Sequence, residues 1–264
     1  MPTAAVNGIE IYYELRGAGP PLLFFNGSGA TLENAALLLD PFAARFEVLG
    51  FDQRGLGRTS IPAGPYEMAD YAADAAALLD HVGWDRCRAV GISFGGMVAQ
   101  EFAVTFPERV ERLALVCTSP GGDFASFPLH EMAEKSPEEL LAIGATLLDT
   151  RFTAEYLADH EADRMLAEMV GQRRESPSTG AVRRGEVAQL DARSRHDVID
   201  RLARVTCPTL VASGRYDGIA PVGNGEAIAS RVPGAELRVY EGGHMFFVQD
   251  PRAMPEILDF LAAG

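Results

Sequence analysis

The sequence predicts an α/β protein in which helices cover both faces of a mostly parallel sheet. Two observations indicate this class. Short apolar runs typical of buried strands alternate with longer segments that have helical spacing. One of these runs, 87–92, ends in the turn Gly91-Ile92-Ser93-Phe94-Gly95, and a helix-competent segment follows at once. Such alternation places parallel strands side by side, with the connecting helices packed on the two faces of the sheet.

The elements follow one another along the chain. Val6-Asn7-Gly8-Ile9 predicts a hairpin with Asn-Gly at its tip. The further predicted strands are 11–15, 22–25, 46–51, 87–92, 112–117, 209–213 and 236–240. The predicted helices are 33–44, 66–82, 97–106, 223–231 and 251–262.

The alternation of strands and helices is interrupted from Thr118 to about Leu190. This stretch contains helical patterns at 137–148, 153–170 and 180–190 and no convincing strand. We therefore expect a core domain of residues 1–118 and 191–264. Residues 119–190 are predicted to form a helical cap inserted over the carboxyl edge of the sheet.

Composition limits the classes of partner. The chain has 264 residues and a formal net charge of −14, which disfavours nucleic acid and anionic membranes as partners. The N-terminus has no basic region followed by an apolar stretch, and no run reaches transmembrane length, so a cytoplasmic protein is expected. The three cysteines lie far apart in apolar runs, which indicates buried free thiols rather than a disulfide or a metal site: Cys87, Cys117 and Cys207.

Ser93 is the predicted nucleophile. The strand, the Gly-x-Ser-x-Gly turn and the helix that follows form the context of a nucleophile elbow, in which the serine hydroxyl stands clear of the strand end. Glycines suit positions 91 and 95 because a side chain there would be crowded. The alternative interpretation is a glycine-rich turn without a catalytic role.

A serine hydroxyl needs a base, and the base needs an acceptor for its second ring nitrogen. His244 follows two glycines just past a predicted strand end and is the predicted base. Asp217 follows the preceding strand and is the predicted acid, with Asp123 as the rival. The other histidines fall in helices or at helix ends, where solvated side chains are expected: His81, His130, His160 and His196.

The substrate oxygen needs positioned donors as negative charge develops on it. We expect the backbone N–H of Phe94 and that of Ser28, in the turn Asn26-Gly27-Ser28-Gly29. That turn could instead be a plain strand-to-helix connection. Asn26, Gly27 and Met245 are candidates for substrate contact, although the Asn26 side chain could orient the loop instead. The loop 52–60 is expected to brace the floor of the site.

Several motifs resemble those of the α/β-hydrolase superfamily, and together they span essentially the whole chain. They are the turn 26–29, the loop 52–60, the Gly-x-Ser-x-Gly turn 91–95, the turn from Gly214 to Asp217, and Gly242-Gly243-His244. The resemblance implies the α/β-hydrolase fold, with a mostly parallel eight-stranded sheet and an inserted helical cap, and Ser–Asp–His chemistry. The asparagine at the oxyanion turn and the run Gly214 to Pro221 are similar to small bacterial hydrolases of the 3-oxoadipate enol-lactonase type. Similar chains include esterases and perhydrolases.

The predicted function is a serine hydrolase without cofactor or metal, acting on a small ester, lactone or related carbonyl substrate through an acyl-enzyme. We expect a monomer or a homodimer. One alternative is carbon–carbon bond hydrolysis or a lyase-type reaction with the same triad. Another is a ligand-binding protein on the hydrolase fold. The arginine pairs 173–174 and 183–184 are expected to be solvated, although one could hold a substrate carboxylate.

Overall fold

A computed structural model describes residues 2–134, 137–172 and 179–264. In these residues the centre of the molecule is an eight-stranded sheet with the strand order β1-β2-β4-β3-β5-β6-β7-β8. The strands are β1 (Thr3–Val6), β2 (Ile9–Arg16), β3 (Pro21–Phe25), β4 (Glu47–Phe51), β5 (Cys87–Ile92), β6 (Val110–Val116), β7 (Thr209–Gly214) and β8 (Glu236–Tyr240).

The pairing of the strands confirms the predicted fold class. β1 and β2 form the antiparallel hairpin, with Asn7 at φ 47° and Gly8 at φ 78° in its tip. β2 pairs antiparallel with β4, and every pairing from β4 across to β8 is parallel. The carboxyl ends of β3, β5, β6, β7 and β8 therefore meet along one edge of the sheet, where chemistry-bearing loops can converge.

Helices cover both faces of this sheet. Tyr71 and Phe102 belong to an apolar cluster on one face, and Phe42 and Ile257 belong to a cluster on the other. None of the helices in the described ranges is long and apolar enough to cross a membrane. The helices are α1 (Ala36–Ala43), α2 (Met68–Val82), α3 (Phe94–Thr105), α4 (Pro137–Leu148), α5 (Ala154–Asp159), α6 (Glu161–Gln172), α7 (Gly180–Ser194), α8 (Val222–Ala229), α9 (Phe246–Gln249) and α10 (Ala253–Ala262).

Helices α4 to α7 lie between β6 and β7, and we call the segment 117–208 the helical insertion. Its described residues contribute no strand to the central sheet. It has apolar clusters of its own, one of which contains Leu148, Phe152 and Leu166. The exact limits predicted for core and cap stay a prediction.

Several predicted helix boundaries differ from the observed ones. α1 begins at Ala36 rather than Glu33, because the Thr31 N–H donates to Asn34 Oδ1 and holds a turn there. The pattern at 153–170 is divided at His160, whose backbone leaves the helical region with φ −123° and ψ 83°. The short helix α9 has no counterpart among the predicted elements.

The three cysteines are free and buried, as predicted. Burial raises the pKa of the Cys87 thiol to about 12, so this group stays protonated inside the core.

Candidate active site

Ser93 occupies the single-residue turn between β5 and α3. Its backbone has φ 55° and ψ −118°, a strained conformation for a residue with a side chain. Two contacts hold it there: the Ser93 N–H donates to Val116 O at 2.8 Å, and Thr118 Oγ1 donates to Ser93 O at 2.8 Å. The turn lies at the carboxyl end of β5, as the elbow pattern predicts.

The glycines on either side of Ser93 permit this turn by close packing. A Cβ on Gly95 would lie 2.1 Å from Phe25 O, and a Cβ on Gly91 would lie 2.3 Å from Gly95 O. Each distance is far below a van der Waals contact. The start of α3 can therefore approach the ends of β3 and β5 only when these positions carry no side chain.

His244 lies beside Ser93 although the two residues are far apart in sequence. His244 Nε2 is 3.0 Å from Ser93 Oγ, and His244 Nδ1 is 2.8 Å from Asp217 Oδ2. A carboxylate only accepts hydrogen bonds, so Nδ1 carries a proton, and in the neutral ring Nε2 presents its lone pair to the serine hydroxyl. The order of groups is that of a nucleophile, a base and the acceptor that orients the base.

Asp217 is fixed by its own loop. Its Oδ1 accepts hydrogen bonds from the Ile219 and Ala220 N–H groups, each at 2.8 Å, which leaves Oδ2 for the imidazole. Asp217 is 3% exposed and His244 is 9% exposed. Burial disfavours the charged imidazolium, but the Asp217 carboxylate outweighs this and raises the pKa of His244 well above 6.5.

The rival acid Asp123 is exposed on a turn, whereas Asp217 makes the contact to the imidazole. Three of the other histidines are exposed as expected: His81, His130 and His160. The expectation of solvation was wrong for His196, which is 4% exposed. Burial and the neighbouring arginines lower the pKa of His196 to about 3, so its ring is neutral.

The turn after β3 supplies a candidate oxyanion donor. Most of its backbone N–H groups are occupied: Gly27 donates to Asn26 Oδ1 at 3.0 Å, and Gly29 donates to Gln189 Oε1 at 2.8 Å. The Ser28 N–H has no hydrogen-bond partner among the described residues. Phe94 is the first residue of α3, so its N–H has no acceptor within the helix. These two groups are the predicted donor pair, and their role at an oxyanion stays a prediction.

The remaining predicted contact residues have different surroundings. A Cβ on Gly27 would lie 3.8 Å from Ser93 Cβ, so this residue adjoins Ser93. Asn26 is 3% exposed, and its side chain accepts from Gly27 N–H and donates to Thr31 O at 3.3 Å. Its amide thus braces the turn. Met245 packs between the core of the sheet and the Leu148 cluster of the insertion.

The loop 52–60 forms a polar brace, as predicted. Asp52 accepts hydrogen bonds from the Leu32 N–H at 2.7 Å and from the Arg58 N–H at 2.9 Å. Arg54 makes a bidentate ion pair with Asp74, with both N···O distances at 2.7 Å. These contacts satisfy buried charges without involving Ser93.

Two polar residues of α7, Gln189 and Arg193, were missed by the sequence reasoning. Gln189 holds the turn after β3 through Gly29, and its Nε2 is buried without a partner in the described chain. Arg193 is 5% exposed and donates to Phe127 O and to Ser126 Oγ, while its Nε has no partner within the same ranges. The four-residue spacing places both side chains on one helix face. That spacing was the signal available in the sequence.

Arg193 differs from Arg54, which is also buried. Arg54 faces a carboxylate, whereas Arg193 has no ion pair with any described acidic residue. Burial lowers the pKa of Arg193 to about 10. The sequence pointed instead to exposed arginines: Arg183 faces Glu186 at 3.9 Å, and Arg184 is exposed. The other predicted pair, 173–174, lies outside the described residues.

No group of three His, Cys, Asp or Glu side chains within the described ranges is arranged to hold a metal ion. The reactive groups at this edge of the sheet are the Ser93 hydroxyl, the His244 imidazole, the Asp217 carboxylate and backbone N–H donors.

A model of the alpha/beta hydrolase fold family matches residues 20–251. A poly(3-hydroxyalkanoate) depolymerase from Ectopseudomonas oleovorans is 30% identical over 91% of this chain and 84% of its own length. A 3-oxoadipate enol-lactonase from Acinetobacter baylyi is 28% identical over 89% of this chain and 85% of its own length. The crystal structure of an enol-lactonase from Burkholderia xenovorans superposes with a TM-score of 0.81 and 25% identity, covering 99% of this chain and 100% of that one.

Proposed function

We propose that this chain, which belongs to the alpha/beta hydrolase family, cleaves a small ester, lactone or related carbonyl compound through an acyl-enzyme on Ser93. The chain is a hydrolase of the esterase type. The acyl-enzyme proposal rests on one observation, the two hydrogen bonds of His244. Its Nδ1 lies 2.8 Å from Asp217 Oδ2, and its Nε2 lies 3.0 Å from Ser93 Oγ. No cofactor is needed for this chemistry.

In the proposed acylation step, neutral His244 takes the Ser93 proton at Nε2 while Ser93 Oγ attacks the substrate carbonyl carbon. The carbonyl oxygen becomes an oxyanion and accepts hydrogen bonds from the Ser28 and Phe94 N–H groups. Asp217 stabilises the imidazolium that forms and keeps its proton on Nδ1. The imidazolium then gives the other proton to the departing alkoxide or enolate, which leaves as the alcohol or enol.

Deacylation repeats the sequence with water as the nucleophile. His244 takes a proton from water as the water oxygen attacks the acyl carbon. The oxyanion forms again at the same two N–H groups. Collapse of this intermediate breaks the bond to Ser93 Oγ, and the protonated His244 returns a proton to that oxygen. The products are a carboxylic acid and the free enzyme.

We propose further that Arg193 favours substrates with an anionic group away from the reacting carbonyl. Burying a guanidinium without a carboxylate partner is costly unless something compensates its charge. α7 lies over the oxyanion turn because Gln189 contacts Gly29. Arg193 follows one helical turn later and reaches the Ser126–Phe127 segment. A substrate carboxylate beside Arg193, between α7 and the Ser126–Phe127 segment, would supply the missing charge.

The test of the reaction class is a substrate panel of neutral esters, carboxylated esters, lactones and diketones, assayed with product identification. We expect hydrolysis of esters or lactones by the wild-type chain and labelling of Ser93 by a fluorophosphonate. Cleavage of diketones alone would replace ester hydrolysis by carbon–carbon bond hydrolysis. An unlabelled Ser93 without turnover would favour the ligand-binding alternative.

A further inference from the structure

We propose that the segment 148–151 at the end of α4, here called the α4 strut, positions His244 through Gln249. The helical insertion would then orient the base as well as cover the site. This inference rests on the proposed function, since it assigns a positioning role for the same imidazole.

The strut binds the loops of both the base and the acid by backbone hydrogen bonds. The His244 N–H donates to Leu148 O at 2.6 Å, and the Thr150 N–H donates to Tyr216 O at 2.8 Å. Tyr216 directly precedes Asp217. One short segment of the insertion thus holds the base itself and the residue next to the acid.

Close packing accompanies these bonds. A Cβ on Gly243 would lie 2.1 Å from Leu148 O and 2.6 Å from the Asp149 Cα. A Cβ on Gly218 would lie 2.6 Å from Thr146 O. The residue before the base and the residue after the acid are therefore both in backbone contact with the end of α4, at distances that only glycine allows.

A buried polar network fixes the strut to the loop of the base. Asp149 is 0% exposed and accepts hydrogen bonds from Arg151 Nη2 at 2.6 Å and from Gln249 Nε2 at 3.0 Å. Gln249 Nε2 also donates to Asp163 Oδ1 of α6 at 3.0 Å. Gln249 Oε1 accepts from the Gly243 N–H at 2.9 Å.

This arrangement determines the orientation of the Gln249 amide. Asp149 and Asp163 only accept hydrogen bonds, so they require the NH₂ side of the amide. The amide oxygen is thereby directed at the Gly243 N–H, one residue before His244. Flipping the amide would set its oxygen against two carboxylates and its NH₂ against an N–H group. The network therefore ties the loop that carries the imidazole to Asp149 and Asp163 through one orientation of the Gln249 amide.

The functional consequence follows from geometry. The imidazole must remain within hydrogen-bond reach of both Ser93 Oγ and Asp217 Oδ2, and a displacement of about 1 Å can cost about 100-fold in rate. Gln249 does not touch the reacting atoms. It is a positioning residue, and its loss should lower kcat more than it raises KM.

The test is Gln249→Met, which preserves side-chain length and removes both polar ends of the amide. We expect kcat to fall about 10- to 100-fold, with KM changed less than about twofold. The NMR signal of the His244 Nδ1 proton should shift or broaden. Val248→Met on the same helix is the matched control, because Val248 is 59% exposed; it should retain the wild-type kcat and the wild-type signal.

A second variant protects the test against misfolding. Asp149→Asn removes the charge that pairs with Arg151 and should also lower kcat, whereas Asp159→Asn makes the same change at an exposed residue and should not. Thermal unfolding shows whether each variant is folded. Fluorophosphonate titration counts the sites that react with the label. Folded Gln249→Met and Asp149→Asn proteins with wild-type kcat would overturn the inference. So would failure of both to fold while both controls fold, which would assign the network to stability alone.

These outcomes are separable from failure of the proposed function. If Ser93→Ala retains activity and wild-type Ser93 is not labelled, the acyl-enzyme proposal is wrong. If Ser93 is labelled and required, and Gln249→Met still equals the wild type, only the positioning role is wrong.

Discussion

The two sides of the candidate site are built in different ways. On the sheet side, Ser93 is held by backbone contacts from β5, β6 and α3, and glycines at 91 and 95 let these elements touch. On the insertion side, polar side chains add to the backbone contacts of Leu148 and Thr150. Gln189 contacts Gly29, and Asp149 and Asp163 accept hydrogen bonds from Gln249 of α9. The sheet side depends on strand register, and the insertion side depends in addition on individual side chains.

We expect the sheet side to determine the reaction and the insertion side to determine the substrate preference. Backbone geometry tolerates change in most side chains, so a family can keep its nucleophile elbow while its substrates diverge. Side chains on an inserted segment can be replaced without disturbing the sheet. We therefore expect substitutions on the sheet side to abolish the reaction or the fold, and substitutions on the insertion side to alter rates and substrate preference.

The largest effect should come from Ser93→Ala. Without the hydroxyl there is no acyl-enzyme, and loss of such a nucleophile costs on the order of 10⁶-fold in kcat. Ester turnover by the purified variant measures the loss, with circular dichroism to confirm folding. Wild-type turnover in the variant would remove Ser93 from the mechanism.

Asp217→Asn should follow, with a loss of about 10⁴-fold in kcat because the imidazole loses its orienting acceptor. His244 must be neutral to act as base, and its pKa is raised above 6.5. The wild-type kcat/KM should therefore increase with pH through an apparent pKa above that value. In Asp217→Asn the carboxylate that raises the pKa is gone, so this limb should move to lower pH. Asp123→Asn, on an exposed turn, is the control and should change neither quantity.

Gly95→Ala should affect folding before catalysis. Its Cβ would lie 2.1 Å from Phe25 O, so the free energy of unfolding should decrease by about 3 kcal/mol or more. Gly223→Ala is the matched control, because nothing lies within 4 Å of the added Cβ in α8. That variant should be about 0.5–1 kcal/mol more stable. Denaturant unfolding measures both, and equal stabilities would contradict the packing argument.

The smallest effect expected is a selective one. Arg193→Met should lower kcat/KM for carboxylated esters about 10- to 100-fold, the range for a hydrogen bond to a charged group. Neutral esters of the same length should be turned over at nearly the wild-type rate. Arg183→Met on the exposed side of α7 is the control. A parallel loss for both ester classes would assign Arg193 to structure, as a clamp on Ser126 and Phe127.

Much of the fold was predictable because its signals are local. The apolar runs that became β3, β5 and β7 report burial on both faces of a parallel sheet, and Gly8 reports the hairpin turn. The division at His160 was not predictable, since residues 153–170 carry an unbroken helical pattern. The start of α1 was missed because a side-chain turn at Asn34 competes with the helix there.

The candidate site also has residues that the sequence predicted and residues that it did not. Ser93, Asp217 and His244 follow predicted strand ends, and parallel strands bring their carboxyl ends to one edge, so spacing and chain order were enough to name them. Gln189, Arg193 and Gln249 lie within helices, where a polar residue is usually solvated. His196 shows how that default fails, because it is buried and neutral in the folded chain.

By itself the sequence determined the class of fold and predicted the three residues that meet at one edge of the sheet, because both depend on backbone periodicity and on glycines at fixed positions in turns. The tertiary structure decided which polar side chains of the insertion enter the interior. It placed Leu148 O on the His244 N–H and buried Arg193 with no ion pair to any acidic residue that the structure describes. Such contacts join residues distant in sequence, and their energies depend on burial, which no local pattern of residues encodes.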